Sequence, residues 1–105
     1  MATTPTNFFR GAATTTTTTV LGTVPSATTW IVTNIAVVNT AASAGTFTLG
    51  MGTAGATTAI ATTSTVPANS TIYIDLKQVL IATNTITGGA SAVTVSFHIS
   101  GIALA

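Results

Sequence analysis

Cysteine is absent from this chain. No disulfide can form and no thiolate chemistry is available, so the redox compartment stays open and stabilisation has to come from packing or oligomerisation. Charge is nearly absent too. Only 3% of residues are charged, namely Arg10, Asp75 and Lys77, and His98 is the single histidine. An ordinary soluble domain carries about 25%. A net charge of +1 offers no footprint for nucleic acid or for an anionic membrane surface. No apolar run approaches the ~18 residues that a membrane helix needs. Met1-Ala-Thr-Thr-Pro-Thr-Asn-Phe-Phe-Arg10 also lacks the basic start and apolar core of a secretory signal.

What is present points to β-structure. The 105 residues suit one domain. With 47% apolar residues and a mean hydropathy of +0.70, a core can form. About a quarter of the residues are threonine, a β-branched type that favours strands. A nearly uncharged surface has little self-repulsion, so such a monomer tends to associate. The expectation is a hydroxyl-covered exterior with a permanent assembly over the apolar remainder, and hence a homo-oligomer.

The longest β-type run is Thr28-Thr-Trp-Ile-Val-Thr-Asn-Ile-Ala-Val-Val-Asn39. Period two places Ile31, Thr33, Ile35 and Val37 on one face, and Trp30, Val32, Ala36 and Val38 on the other. Neither face is polar, which predicts a central strand covered on both sides. Thr46 to Met51 alternates with Phe47, Leu49 and Met51 inward, and Thr71 to Leu76 with Ile72, Ile74 and Leu76 inward. Ala56 to Thr65 is a weaker strand. Val93 to Ile102 alternates most clearly, with Val93, Val95, Phe97 and Ile99 facing in and Ser96, His98 and Ser100 facing out.

Thr14 to Thr19 reads as the start of a first strand, Asn84 to Thr87 as a short strand closed by Gly88-Gly89, and Lys77 to Ala82 as the one stretch with helical flavour, no longer than about a turn. Thr23-Val-Pro and Thr65-Val-Pro introduce similar strands, as two equivalent corners of a sandwich would. Seven or eight short strands between Gly, Pro and Asn turns predict an all-β fold. Its form is a single antiparallel β-sandwich, jelly-roll-like, over residues 14–105, behind an extended N-terminal arm over residues 1–13. Phe8, Phe9 and Arg10 are the arm's candidate partner-binding residues, since aromatics and arginine favour interfaces. With so little charge, edge strands would need partner contacts, a bulge or the Thr-rich arm to protect them.

Enzymatic chemistry finds little support. His98 lies in a plain alternation between Ser96 and Ser100, and no Gly-x-Ser-x-Gly elbow occurs. One His and one Asp per chain cannot assemble a three- or four-ligand metal site. Gly88-Gly89 and Gly50-Met-Gly52 lack the lysine and helix of a phosphate loop. Trp30 and Tyr73 could form a sugar-stacking platform, but a single Trp on a central strand more often fills a core or an interface. The expectation is a protein that is not an enzyme and has no cofactor, metal or catalytic residue.

From Thr23 to Ile102 the chain resembles small tailed-phage virion proteins. The resemblance rests on the Val-Pro turn and the Thr-Thr-led strand ending at Asn39-Thr40, on Val66-Pro-Ala-Asn-Ser-Thr-Ile-Tyr-Ile-Asp-Leu76 running into Val79-Leu80, and on the terminal Val93-Thr-Val-Ser-Phe-His-Ile-Ser-Gly-Ile102 strand. Ala82-Thr-Asn-Thr-Ile86 departs from it, where a Gly-Asp turn would be expected. The resemblance implies a β-sandwich that decorates or cements a capsid, often as a trimer. Its partners would be the major capsid protein or other virion proteins, on a capsid surface assembled in the host cytoplasm. Trp30, Val32, Val38 and Tyr73 are the candidate oligomer-interface residues. The alternative is a tail-fibre or baseplate-associated module that binds host-surface glycans.

Overall fold

The computed structural model describes residues 3–105. It contains eight strands: β1 (Thr3–Ala12), β2 (Val20–Thr23), β3 (Thr29–Asn39), β4 (Gly45–Thr53), β5 (Ala56–Val66), β6 (Ser70–Leu80), β7 (Thr85–Ala90) and β8 (Val95–Leu104). They form two antiparallel four-stranded sheets. Sheet A runs β1-β8-β3-β6 and sheet B runs β2-β7-β4-β5. The nested pairs β1·β8, β2·β7, β3·β6 and β4·β5 are those of one long antiparallel hairpin rolled up on itself. Its tip is Ala54-Gly55 between the paired Thr53 and Ala56, and Gly55 (φ 80°) supplies the positive φ that so tight a reversal needs.

The core lies between the sheets. Val32, Ile35, Val37, Val95, Phe97 and Ile99 from sheet A meet Phe47, Leu49, Met51 and Ile86 from sheet B, all buried. Phe47 and Phe97 meet edge to face across the layer, with ring centroids 6.1 Å apart. The two Val-Pro corners are equivalent in space. Val24-Pro25 and Val66-Pro67 each carry the chain from sheet B to sheet A, after β2 and after β5. Each buries its valine, and each bends three residues later at a positive φ, Ala27 (55°) and Asn69 (50°). Asn39 locks one end of the sandwich. Its Nδ2 donates to the Ser43 carbonyl (2.9 Å), Val66 carbonyl (3.3 Å) and Pro67 carbonyl (3.3 Å), and its Oδ1 accepts from the Ala41 N–H (3.0 Å). These bonds satisfy a buried amide and tie the β3–β4 loop to the β5–β6 corner.

Several elements differ from the sequence reading, each through a contact distant in sequence. The expected arm is, over Thr3–Ala12, an edge strand of sheet A paired with β8; Met1 and Ala2, the start of that arm, lie outside the described residues. Thr14–Thr19 is not a strand. It crosses the outer side of β7, where the Ala90 N–H donates to the Thr14 carbonyl (2.8 Å) and the Gly88 N–H to the Thr19 carbonyl (2.9 Å). That cover explains why β7 continues through Gly88-Gly89 instead of ending there: Gly89 leaves room for the Thr16 backbone, and Gly88 for the Leu49 side chain on the other side. Lys77 to Leu80 is the end of β6, not a helical turn, and Val93 precedes β8 and is exposed.

The two faces of β3 exchange halfway. Its register with both neighbours shifts between Val32 and Asn34, and one extra residue reverses which side chains point inward. Val32 is therefore buried with Ile35 and Val37, whereas Val38 lies on the outer side with Asn34 and Ala36.

Candidate functional site

The cross-strand register, in which opposed residues share a face, gives the outer face of sheet A its chemistry. One row reads Arg10, His98, Ala36, Tyr73 across β1, β8, β3 and β6. The next reads Asn7, Ser100, Asn34, Asp75. Lys77 follows Asp75 by two residues on β6, on the same face by alternation. A third row, Pro5, Ile102, Ile31 and Val79, is apolar. All three charged residues of the chain, and its histidine, thus belong to one side of one sheet. The charges are on its two edge strands, Arg10 on β1 and Asp75 and Lys77 on β6. The scarce charge is placed at edges, where its sign and position limit which strands can pair there.

Local contacts hold this face in order. With its amide oriented by the surrounding donors and acceptors, Asn7 donates to the Phe9 carbonyl (3.0 Å) and the Ile99 carbonyl (3.2 Å), and accepts from Arg10 Nη2 (3.1 Å). Asn34 Nδ2 donates to Asp75 Oδ1 at 3.5 Å. His98 and Asp75 are separated by β3, two strand spacings or roughly 10 Å, so they do not form a dyad. Among the described residues no three His, Cys, Asp or Glu side chains cluster to hold a metal ion. The opposite exterior, on sheet B, is neutral. Thr57 Oγ1 and Thr87 Oγ1 are 2.9 Å apart over Gly50, and Thr48 and the Thr17-Thr18 backbone segment border the same hollow.

The sequence-derived candidates separate into an inner and an outer group. Phe8 and Phe9 pack against the protein's own core. Phe9 lies opposite Ile99, and Phe8, the extra residue of the β1 bulge, stacks on Trp30 with centroids 4.3 Å apart and planes at 19°. Small residues make that stack possible. A Cβ on Gly101 would meet the Ile31 carbonyl and the Phe8 ring, and one on Gly22 would lie 3.2 Å from Trp30 Cζ3. Phe8 and Phe9 are therefore largely engaged within the chain, while Arg10 is exposed. Trp30 and Val32 face inward, and Val32 is wholly buried. Val38 and Tyr73 face outward, and Tyr73 is 72% exposed. The Trp30–Val32–Val38 interface face does not exist, because the β3 bulge divides it. Nor can Trp30 and Tyr73 form one sugar-stacking platform, since they lie on opposite sides of sheet A. What sequence reasoning missed is the collection of charges on one sheet. The signal was available only as pairing register, not as spacing along the chain.

Strand orders 1-8-3-6 and 2-7-4-5 define an eight-stranded jelly roll. The fold is similar to that of a chain in the infectious bursal disease virus particle, with TM-score 0.58 and 11% identity over 97% of this chain and 30% of that one. A chain of the Gx strain of the same virus gives TM-score 0.51 and 15% identity over 96% of this chain and 29% of that one. A pentameric capsid protein isolated from metagenomic phage sequences aligns at TM-score 0.44 and 18% identity, over 92% of this chain and 60% of its own. The fold assignment rests on the first two, of whose length this chain spans about 30%. No protein-family model matches the chain, and a search of curated proteins finds no significant match.

Proposed function

We propose that this chain is a non-enzymatic structural protein of a virus particle, held on the surface of a phage head as a decoration or cement subunit. The observation that carries the reading is a jelly roll, a fold used by capsid domains, whose exterior is hydroxyl-rich and almost free of ions. Such a surface has little to keep it dispersed and much neutral area to lay against neighbours. The partners are the major capsid protein or other virion proteins, together with copies of itself. The effect is adhesive: many neutral contacts across shell subunits favour the assembled state by mass action. Of the candidate residues, Arg10, Val38 and Tyr73 remain available for such contacts on the outer face of sheet A. Phe8, Phe9, Trp30 and Val32 support it from within.

Quantitative mass spectrometry of purified particles, before and after a wash in about 1 M salt, tests the proposal. At that ionic strength charge attractions are screened beyond ~3 Å. The protein is expected in many copies per particle and is expected to stay bound through the wash. Loss in moderate salt would refute neutral cementing. A few copies per particle would transfer the protein to the tail.

A further inference from the structure

β6 is the open edge strand of sheet A beside β3. It runs for eleven residues, Ser70–Leu80, without proline. Its irregularity against β3 sets Leu76 and Lys77 against Thr33. That is one extra residue on β6, and the faces exchange on β3 rather than on β6. Gln78 and Leu80 stand opposite the inward Val32 and Trp30, and Ile74 opposite the inward Ile35, so inward and outward positions still alternate along β6. The other open edges are poorer templates. β1 carries Pro5, which lacks an N–H, and a bulge. β5 has two register shifts and Thr63 at a positive φ of 46°. β2 has four residues. Tyr73 (72% exposed) and Val79 (60%) lie on β6 and Ile81 (61%) directly follows it, an apolar load that a solvent-facing edge would not carry without a partner.

The order of side chains on β6 reads the same way from either end about Leu76. Tyr73 and Asp75 lie on one side, and Lys77 and Val79 on the other. We infer that β6 pairs antiparallel with β6 of a second copy about a two-fold axis at Leu76, joining two copies of sheet A into one eight-stranded sheet. In that register Asp75 lies opposite Lys77 of the second copy and Lys77 opposite its Asp75. Tyr73 lies opposite Val79, and Thr71 opposite Ile81. A two-fold contact repeats each pair twice. Opposite charges and an aromatic beside a β-branched residue are favourable cross-strand pairs, whereas like charges directly opposed are unfavourable.

The charges also set the register. A slip of two residues one way opposes Asp75 to Asp75, and a slip of two the other way opposes Lys77 to Lys77. A slip of one turns inward side chains outward. The pairing requires no particle, so it stands or falls separately from the virion role.

Sedimentation of the full chain tests it. The parent protein is expected at about twice its 10.4 kDa, dissociating on dilution. Asp75→Lys and Lys77→Asp each oppose like charges and are expected to weaken dimerisation on the order of tenfold or more. The double swap Asp75→Lys with Lys77→Asp restores opposite charges and is expected to recover the dimer. Both side chains are exposed, so circular dichroism and melting should report an intact fold in all three variants. A Tyr73→Cys, Val79→Cys variant of this cysteine-free chain should oxidise to a covalent dimer. Opposed residues are about 5 Å apart at Cα, within disulfide range, whereas positions 73 and 79 of one strand are roughly 20 Å apart. A monomeric parent, single swaps that leave the dimer intact, a double swap that fails to restore it, or an oligomer larger than a dimer that the swaps do not affect would each overturn the inference.

Discussion

Replacing Gly89 by alanine tests whether the threonine run is part of the fold or merely drapes over it. A Cβ at Gly89 would run into the Thr16 carbonyl oxygen, and would lie 2.7 Å from the Thr16 carbonyl carbon and 2.9 Å from the Thr14 carbonyl oxygen. These obstacles are backbone atoms, so no rotamer change relieves them. The crossing segment has to retreat by roughly 1 Å to reach ordinary contact distance. Retreat stretches the two bonds that hold it, from the Ala90 N–H to the Thr14 carbonyl and from the Gly88 N–H to the Thr19 carbonyl. Each is worth about 0.5–1.5 kcal/mol net, and overpacking adds about 1–3 kcal/mol.

Against this stands about 0.5–1 kcal/mol from the reduced freedom of the unfolded chain. A net loss of roughly 1–5 kcal/mol follows, centred on about 3 kcal/mol, from a total of about 5–15 kcal/mol for a domain. Urea unfolding should register that loss, and the melting temperature should fall by roughly 10 °C or more. Amide exchange should quicken at Gly88 and Ala90 in particular. A variant within about 0.5 kcal/mol of the parent, with unchanged exchange at those two amides, would refute the reasoning and reduce the threonine run to a passive loop.

Two further substitutions probe buried polar groups. Thr85 Oγ1 is buried without a hydrogen-bond partner, so Thr85→Val should leave stability unchanged or raise it by about 1 kcal/mol in thermal unfolding; a loss above that size would show that the hydroxyl has a partner. Asn39→Ala removes five hydrogen bonds at the end of the sandwich and leaves buried carbonyls unsatisfied. It should cost about 2–4 kcal/mol in urea unfolding, and a near-neutral result would mean that the β3–β4 loop is not held by this side chain.

The sequence alone determined the class of fold and much of its inner lining. Alternation is a local property, so Phe47, Leu49 and Met51 on β4, and Val95, Phe97 and Ile99 on β8, declare their inward faces without help from any neighbour. The Val-Pro corners are local for the same reason: proline restricts φ wherever it stands. Near-absence of charge was equally plain from composition, and with it the expectation of a protein surrounded by others. Tertiary structure decided the rest, because the remaining choices belong to pairs of distant segments. A bulge exists only relative to a partner strand, so nothing within Thr29–Asn39 announces that Val32 and Val38 part company. Phe8 packs against the core because Gly101 and Trp30, far along the chain, leave it a slot. Asp75 and Arg10 come to lie on the two edges of one sheet through strand order, which no spacing in the chain encodes.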